Sequence, residues 1–238
     1  MAYQRAYFPT NTIDLSQGYG ELSSTHKNSY ALDLYGKYDV FAPFDCKVTK
    51  LFVKKGHSYE VWLTSTKKVL CANGCYDYLT ISFTHPKDID KLKLNQKFRQ
   101  FQKVCTTDKM TGVATGCHLH LELSLGKKAG WQLINGDYVN VNKIKPEEYL
   151  FARENATIKR TEYKGVEYKF IKESDITYKV KGTDGYLQMR RTPKVSIFNK
   201  TKKIKEGSEV LRFRTENSWA YIYYYSDLGY VVDKYLKK

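Results

Sequence analysis

Nowhere in the 238 residues does an apolar run approach the roughly eighteen residues that a membrane-crossing helix needs, so a transmembrane helix is excluded. The start, Met1 to Pro9, carries no apolar stretch ahead of a small-residue cleavage site, and no secretory signal is expected. Glycine and proline are scarce, 15 and 5 residues, which excludes collagen-like and low-complexity chains. Cysteine is sparse and odd in number: Cys46, Cys71, Cys75, Cys105 and Cys117 are spread too thinly for a disulfide-stapled scaffold. Acidic residues are in deficit, 25 against 40 Lys and Arg, leaving +15 and a pI near 9.4. Such an excess points to an anionic partner: nucleic acid, a phospholipid surface or a wall polymer. Motifs that read bases or bind phosphate are also missing, so nucleic acid is not the expected partner.

What is present is a folded, tyrosine-rich chain with 42% hydrophobic residues and 21 Tyr. At about 150 residues per domain, its length allows one large or two modest domains. Residues 1–150 hold 20 basic and 14 acidic side chains, while 151–238 hold 20 and 11, so the shorter part is the more basic. The polar stretch after Leu150 lacks any clear period. The expected division is 1–155, a linker at 156–174, and 175–238.

The periodicity is mainly that of strands, and the expected class is all-β. Tyr78 to His85 alternates, with Leu79, Ile81, Phe83 and His85 in one phase. His118 to Leu125 alternates more strictly, placing His118, His120, Glu122 and Ser124 opposite four leucines. Asn73-Gly74 signals a type I′ hairpin. Residues 86–104 fit a helix or a loop with a short strand about equally.

Four of the five histidines make sense together. In His118-Leu-His120 a strand sets two imidazoles on one face about 6.5–7 Å apart, so that one can ligate a metal and the other reach the substrate. The Gly-containing turn at Thr111–Gly116 lets backbone approach a ligand closely. His26 and Asp33 add an imidazole and a carboxylate, donors suited to Zn²⁺, and with the His-x-His strand supply three ligands and an open fourth position. His85 is a further titratable group. The bland alternative for each is a solvated strand or loop residue, and His57, in a Lys/Gly-rich turn, is read that way. Cys71 and Cys75 have no second tight Cys/His pair to complete a structural zinc site and are read as a hairpin-tip pair, free or oxidised.

In order and spacing, His26…Asp33, Val40-Phe-Ala-Pro-Phe-Asp-Cys-Lys-Val48, His85, Thr115-Gly-Cys-His-Leu-His-Leu-Glu122 and Pro146–Leu150 resemble the lysostaphin/LytM-type zinc metallopeptidases, the peptidoglycan endopeptidases, over about residues 17–150. The resemblance implies that His26, Asp33 and His120 are zinc ligands and that His118 and His85 are catalytic without binding metal. It further implies a β-sheet core with an active-site groove and hydrolysis of stem-peptide or cross-bridge bonds. Six residues separate His26 from Asp33 where many members have three, Cys117 precedes the His-x-His, and Arg99–Lys103 lacks the family's usual glycine; these departures touch groove shape and preference rather than the metal. No His-Glu-x-x-His helix is present, so a histidine is expected as base, with Glu122 able to orient His120.

Residues 175–238 resemble the bacterial SH3-like cell-wall-binding domains: Leu187-x-x-Arg190-x-x-Pro193, Lys205-x-Gly207, a Trp219 strand and Gly229-Tyr-Val231. Trp219 and Val231 are expected in the core, while Tyr221, Tyr223, Tyr224 and Tyr225 cannot all face inward. The expectation is a monomeric phage lysin acting on peptidoglycan and wall glycan outside the host membrane, released by lysis or carried on a virion. A host autolysin, or a non-catalytic wall-binding or virion protein that keeps the fold, is the alternative.

Overall fold

The computed structural model describes residues 3–238 except 21, 24, 27, 28, 53–58, 108–115, 128, 129, 135 and 136, with backbone alone for 130–134 and 137–140. The readings made on His57 and on Thr111–Thr115 lie outside the described residues. The chain is nearly all-β, its described helices being single turns such as Pro146–Tyr149, where proline occupies the first helical position. No described helix is long and apolar enough to cross a membrane.

The larger sheet has eight strands: β1 (Leu15–Gln17), β2 (Leu32–Tyr35), β3 (Cys46–Phe52), β4 (Glu60–Ser65), β5 (Leu79–Thr84), β6 (Lys97–Phe98), β7 (His118–Leu125) and β8 (Lys143–Ile144). They run in the order β6-β3-β4-β5-β7-β2-β1, with β8 also on β7, and every pairing is antiparallel. Because side chains alternate, one transverse row of partners, Leu51, Val61, Phe83, Leu121 and Leu32, enters the core. The next row, Phe52, Glu60, Thr84, His120 and Asp33, lies on the opposite face.

The second sheet has seven strands: β9 (Thr177–Val180), β10 (Tyr186–Arg190), β11 (Lys200–Lys205), β12 (Glu209–Glu216), β13 (Trp219–Tyr224), β14 (Asp227–Val232) and β15 (Leu236–Lys237). Their order is β11-β10-β14-β13-β12-β9-β15 around a separate core of Val180, Met189, Ile204, Ala220, Ile222 and Val231. Val231 is fully buried, but Trp219 is only partly covered. Trp219 opens β13 directly after Asn217 and Ser218, both left-handed, and strand alternation gives the inner phase to Ala220 and Ile222 instead. Tyr223 shares the outer phase, yet it is buried against Leu70 and Tyr3 from the first part of the chain, and Tyr225 is 69% exposed.

Two local readings differ from the structure. The stretch 156–174, polar enough to read as a linker, lies on the first core: Thr157–Ile158 pairs in parallel with Thr12–Ile13, and Tyr168 and Phe170 are buried there. Isolated aromatics at uneven spacing leave no periodic signal, which is why composition concealed this packing. The hairpin at Asn73-Gly74 exists, between Val69–Leu70 and Tyr76–Asp77, but it is not type I′. Only Gly74 has positive φ, +84°, and the connection spans residues 71–75, long enough to turn without a second left-handed residue. Residues 86–104 form a single 3₁₀ turn at Ile89–Lys91, the short strands Pro86–Lys87 and β6, and the start of the strand Lys103–Thr107.

Leu121 is fully buried at the centre of β7, with β2 and β5 on either side. Leu121→Ala is expected to cost about 2–5 kcal/mol in denaturant unfolding, against less than about 0.5 kcal/mol for Lys200→Ala on the exposed strand β11. Equal costs would mean that this row is not the core.

Candidate metal centre

The polar face of the larger sheet carries the cluster. Asp33 on β2 is the direct partner of His120 on β7, and Thr84 of β5 flanks His120 on its other side. The buried apolar residues Leu119, Leu121 and Leu123 fix the phase of β7, so His118, His120 and Glu122 must share the opposite face. His26 comes from the loop before β2 and is buried; its amide donates to Ser23 Oγ at 3.0 Å.

Asp33 is the hub. His120 Nδ1 lies 2.9 Å from Asp33 Oδ1, while His26 Nε2 and His118 Nε2 stand 3.5 and 3.7 Å from Asp33 Oδ2. The other nitrogen of His120, Nε2, is 3.2 Å from Glu122 Oε1. The His85 ring centre is 4.9 Å from that of His118 and 6.3 Å from that of His120. All five histidine and aspartate residues singled out from the sequence are therefore brought together, with Glu122 beside them.

His85 arrives there by a route that alternation does not give. In phase it belongs with Leu79, Ile81 and Phe83, which face the core, yet its φ of +69° breaks the strand after Thr84 and turns the residue toward His118. Its amide still donates to the Tyr59 carbonyl at 2.9 Å. A left-handed conformation at a non-glycine residue costs on the order of 1–2 kcal/mol and persists where the surroundings enforce it.

Protonation follows from the same contacts. Burial disfavours charge on His120, but its hydrogen bonds to Asp33 and Glu122 prevail and push its pKa up to about 10. Burial raises the Asp33 carboxyl, and the histidines around it, His120 foremost, more than reverse this and hold it below the usual range. Burial lowers the pKa of His26 despite Asp33, so near neutrality its imidazole is uncharged, the form that ligates metals. His118 Nδ1 donates to the Gly116 carbonyl at 3.0 Å, which turns Nε2 toward Asp33. In the same row, two strands from His120, burial lifts the Glu60 carboxyl above its usual range although the Trp62 indole N–H donates to it.

One ligand atom from each of His26, Asp33 and His120 lies within 4.8 Å of the others. Two imidazole nitrogens and one carboxylate oxygen, drawn together on a largely buried hub, fit a borderline-soft ion such as Zn²⁺. The orientation of His120 by Glu122 is the outer-shell support that ligating histidines usually have. No thiolate belongs to this set.

No protein-family model matches the chain. A stretch of 132 residues is 34% identical to morphogenesis protein 1 of Bacillus phage B103, covering 54% of this chain and 34% of that protein; the chain thus spans about a third of this curated relative. Among solved structures, the antimicrobial peptidase lysostaphin from Staphylococcus simulans is 13% identical, with 98% of this chain and 92% of that one covered at a TM-score of 0.43. A zinc-containing peptidase from Vibrio cholerae is 17% identical over 52% of this chain and 37% of its own, with a TM-score of 0.39. The catalytic domain of a prophage-encoded M23 protein from Enterococcus faecalis is 20% identical over 53% and 87%, with a TM-score of 0.37. What the centre can do follows from its own side chains.

A metal ion on His120 must displace a proton held with a pKa of about 10. The apparent affinity for Zn²⁺ is therefore expected to rise with pH through the neutral range, by about tenfold per unit while one proton is exchanged. Calorimetry in buffers of different ionisation heat should show about one proton released per ion near pH 7. Binding without proton release would place the ion elsewhere.

Proposed function

We propose that the chain is a zinc-dependent peptidase that hydrolyses peptide bonds in the stem peptides or cross-bridges of bacterial peptidoglycan. The observation that carries this reading is the buried His26–Asp33–His120 set with two further histidines, His118 and His85, beside it. His26, Asp33 and His120 would hold the ion. When bound, Zn²⁺ would supply Lewis-acid polarisation of the scissile carbonyl and lower the pKa of water to about 7. His118 accepts the proton of the attacking water through Nε2 and returns it to the leaving amine. His85, turned to the same side, donates to the developing oxyanion. Glu122 holds the His120 ring in place through Nε2.

To residues 175–238 we assign attachment to the wall, with peptidase chemistry in 1–155 and the stretch 156–174 packed between them. Strand β11 is rich in lysine, Lys203 Nζ lies 4.2 Å from the Tyr186 ring centre, and Tyr186 and Tyr225 are exposed, a surface suited to sugar faces and anionic polymer. The likeness to a phage morphogenesis protein favours a virion-borne lysin over one released only at the end of infection. In this reading the enzyme works as a monomer at the cell wall. A wall-binding or virion protein that keeps the fold without turnover is the second reading, and the paired base candidates His118 and His85 weigh against it.

His120→Ala should abolish both zinc binding, read by elemental analysis, and release of peptide termini from purified peptidoglycan. His118→Ala and His85→Ala should retain zinc while kcat falls by roughly 10²–10⁴. Loss of the ion from His118→Ala would exchange ligand and base. A zinc-loaded native chain that releases no termini from peptidoglycans of any cross-link chemistry would favour the non-catalytic reading. Glu122→Gln, in turn, should weaken zinc by about 10–100-fold, and unchanged affinity in a metal-buffered titration would remove its orienting role.

A further inference from the structure

A second constellation lies apart from the metal centre, at the junction of the two sheets. The hairpin formed by Val69–Leu70 and Tyr76–Asp77 has a connection that begins with Cys71 and ends with Cys75. The Cys71 amide donates to the Cys75 carbonyl at 2.8 Å, so the two residues close the neck of the loop. Cys71 and Cys75 are the next opposed positions after Val69 with Asp77 and Leu70 with Tyr76, and opposed positions of an antiparallel pair lie about 4.5–5.5 Å apart at Cα, inside the roughly 4.4–6.8 Å range of disulfides. Within the loop, the Gly74 amide donates to the Cys71 carbonyl at 2.9 Å and the Cys75 amide to Asn73 Oδ1 at 3.0 Å, which fixes the approach of the two side chains.

The two thiols differ in kind. Cys71 is fully buried, with Sγ 3.9 Å from the Val69 carbonyl oxygen, and the adjacent Cys75 thiol together with burial keeps it protonated. Cys75 is half-buried; the adjacent Cys71 thiol lowers its pKa to about 7, with help from Lys68, against desolvation and Asp77. Beside it opens a cleft of about 460 Å³ lined by Asn73, Gly74, Tyr76, Arg214 and Tyr221. Arg214 lies over the Tyr221 ring at 4.2 Å, and no carboxylate is among the described residues that line the cleft. The loop tip meets the second sheet closely: a Cβ on Gly74 would come within 2.7 Å of the Phe213 ring.

We propose that Cys71 and Cys75 form a dithiol–disulfide redox pair that exchanges with small anionic disulfides entering this cleft. The Cys75 thiolate attacks one sulfur of the incoming disulfide, forming a mixed disulfide and expelling one thiolate, which takes up a proton. Cys71 loses its proton and attacks the Cys75 sulfur, expelling the second thiolate. The two cysteines give up two electrons and two protons in all, and the small disulfide becomes two thiols. Cys46 and Cys105 do not compete, because both are buried in the first core and burial pushes their thiols up, that of Cys46 to about 12. The closed pair staples the loop on which Phe213 and Tyr221 rest, so the junction between the sheets stiffens under oxidation and relaxes under reduction.

The test uses the full chain, oxidised glutathione as the probe, and peptide mass mapping after alkylation of the remaining thiols. Before alkylation the expected product is two mass units lighter than the reduced chain, and after alkylation in denaturant Cys71 and Cys75 are linked while Cys46, Cys105 and Cys117 carry the alkyl group. A stable glutathione adduct on Cys75, a bridge to another cysteine, or no reaction overturns the pair. Cys71→Ser should stop the sequence at the Cys75 adduct, and Cys75→Ser should prevent it altogether; full reaction of Cys75→Ser through Cys71 would reverse the assignment of attacker. Arg214→Ala should slow oxidation by glutathione disulfide several-fold while leaving the rate with neutral hydroxyethyl disulfide unchanged. Equal rates for both probes in both proteins would overturn the recognition of anionic disulfides.

Discussion

A carboxylate enclosed by a sheet is costly unless charge or hydrogen bonds return what water supplied, and Asp33 is such a group. Its compensation comes from a loop, through His26, and from β7, through His118 and His120. None of these partners is local in sequence. The pairing of β2 with β7 must therefore be set to the residue, because a slip of one would carry both histidines into the core and leave Asp33 without counter-charge. The leucines of β7 prevent that slip from the other face. Core and cluster are two sides of one register.

The same contacts explain why the centre is receptive to a cation. His120 stands between Asp33 and Glu122, with a carboxylate facing each ring nitrogen, so in the absence of a metal a proton supplies the positive charge. A divalent ion taking that place would meet a hub already assembled and an imidazole already aimed. The competing proton makes the centre sensitive to acidity without disordering it, since His26, neutral by burial, and the ionised Asp33 keep their states.

Much of this was legible in the sequence, and the exceptions have physical causes. The strict alternation of His118–Leu125 gave the face of both histidines, because a residue period of two leaves no freedom in a strand buried on one side. That His26 and Asp33 meet these histidines was legible through family order, not through spacing alone. Phase alone would bury His85 beside Phe83, and the left-handed turn that re-aims it toward His118 has no glycine to announce it. The packing of 156–174 and the covering of Tyr223 depend on contacts between distant segments, to which a local window is blind. Trp219, expected in the core as a lone aromatic, is only partly covered because strand phase places it outward.

Charge is distributed at two ranges. The chain as a whole is strongly basic, yet the groups gathered on the polar face beside the histidines, Asp33, Glu122 and Glu60, are carboxylic. At physiological ionic strength, charges more than about 8 Å apart across solvent are screened from one another. The basic exterior can then attract anions while the local carboxylates favour positive charge at the centre. Burial sharpens the contrast, because the Asp33–His120 contact at 2.9 Å is shielded from salt and the lysines of β11 are not. Salt should therefore weaken the pull of the basic exterior on anions long before it disturbs the centre, which makes the two properties separable in a single chain.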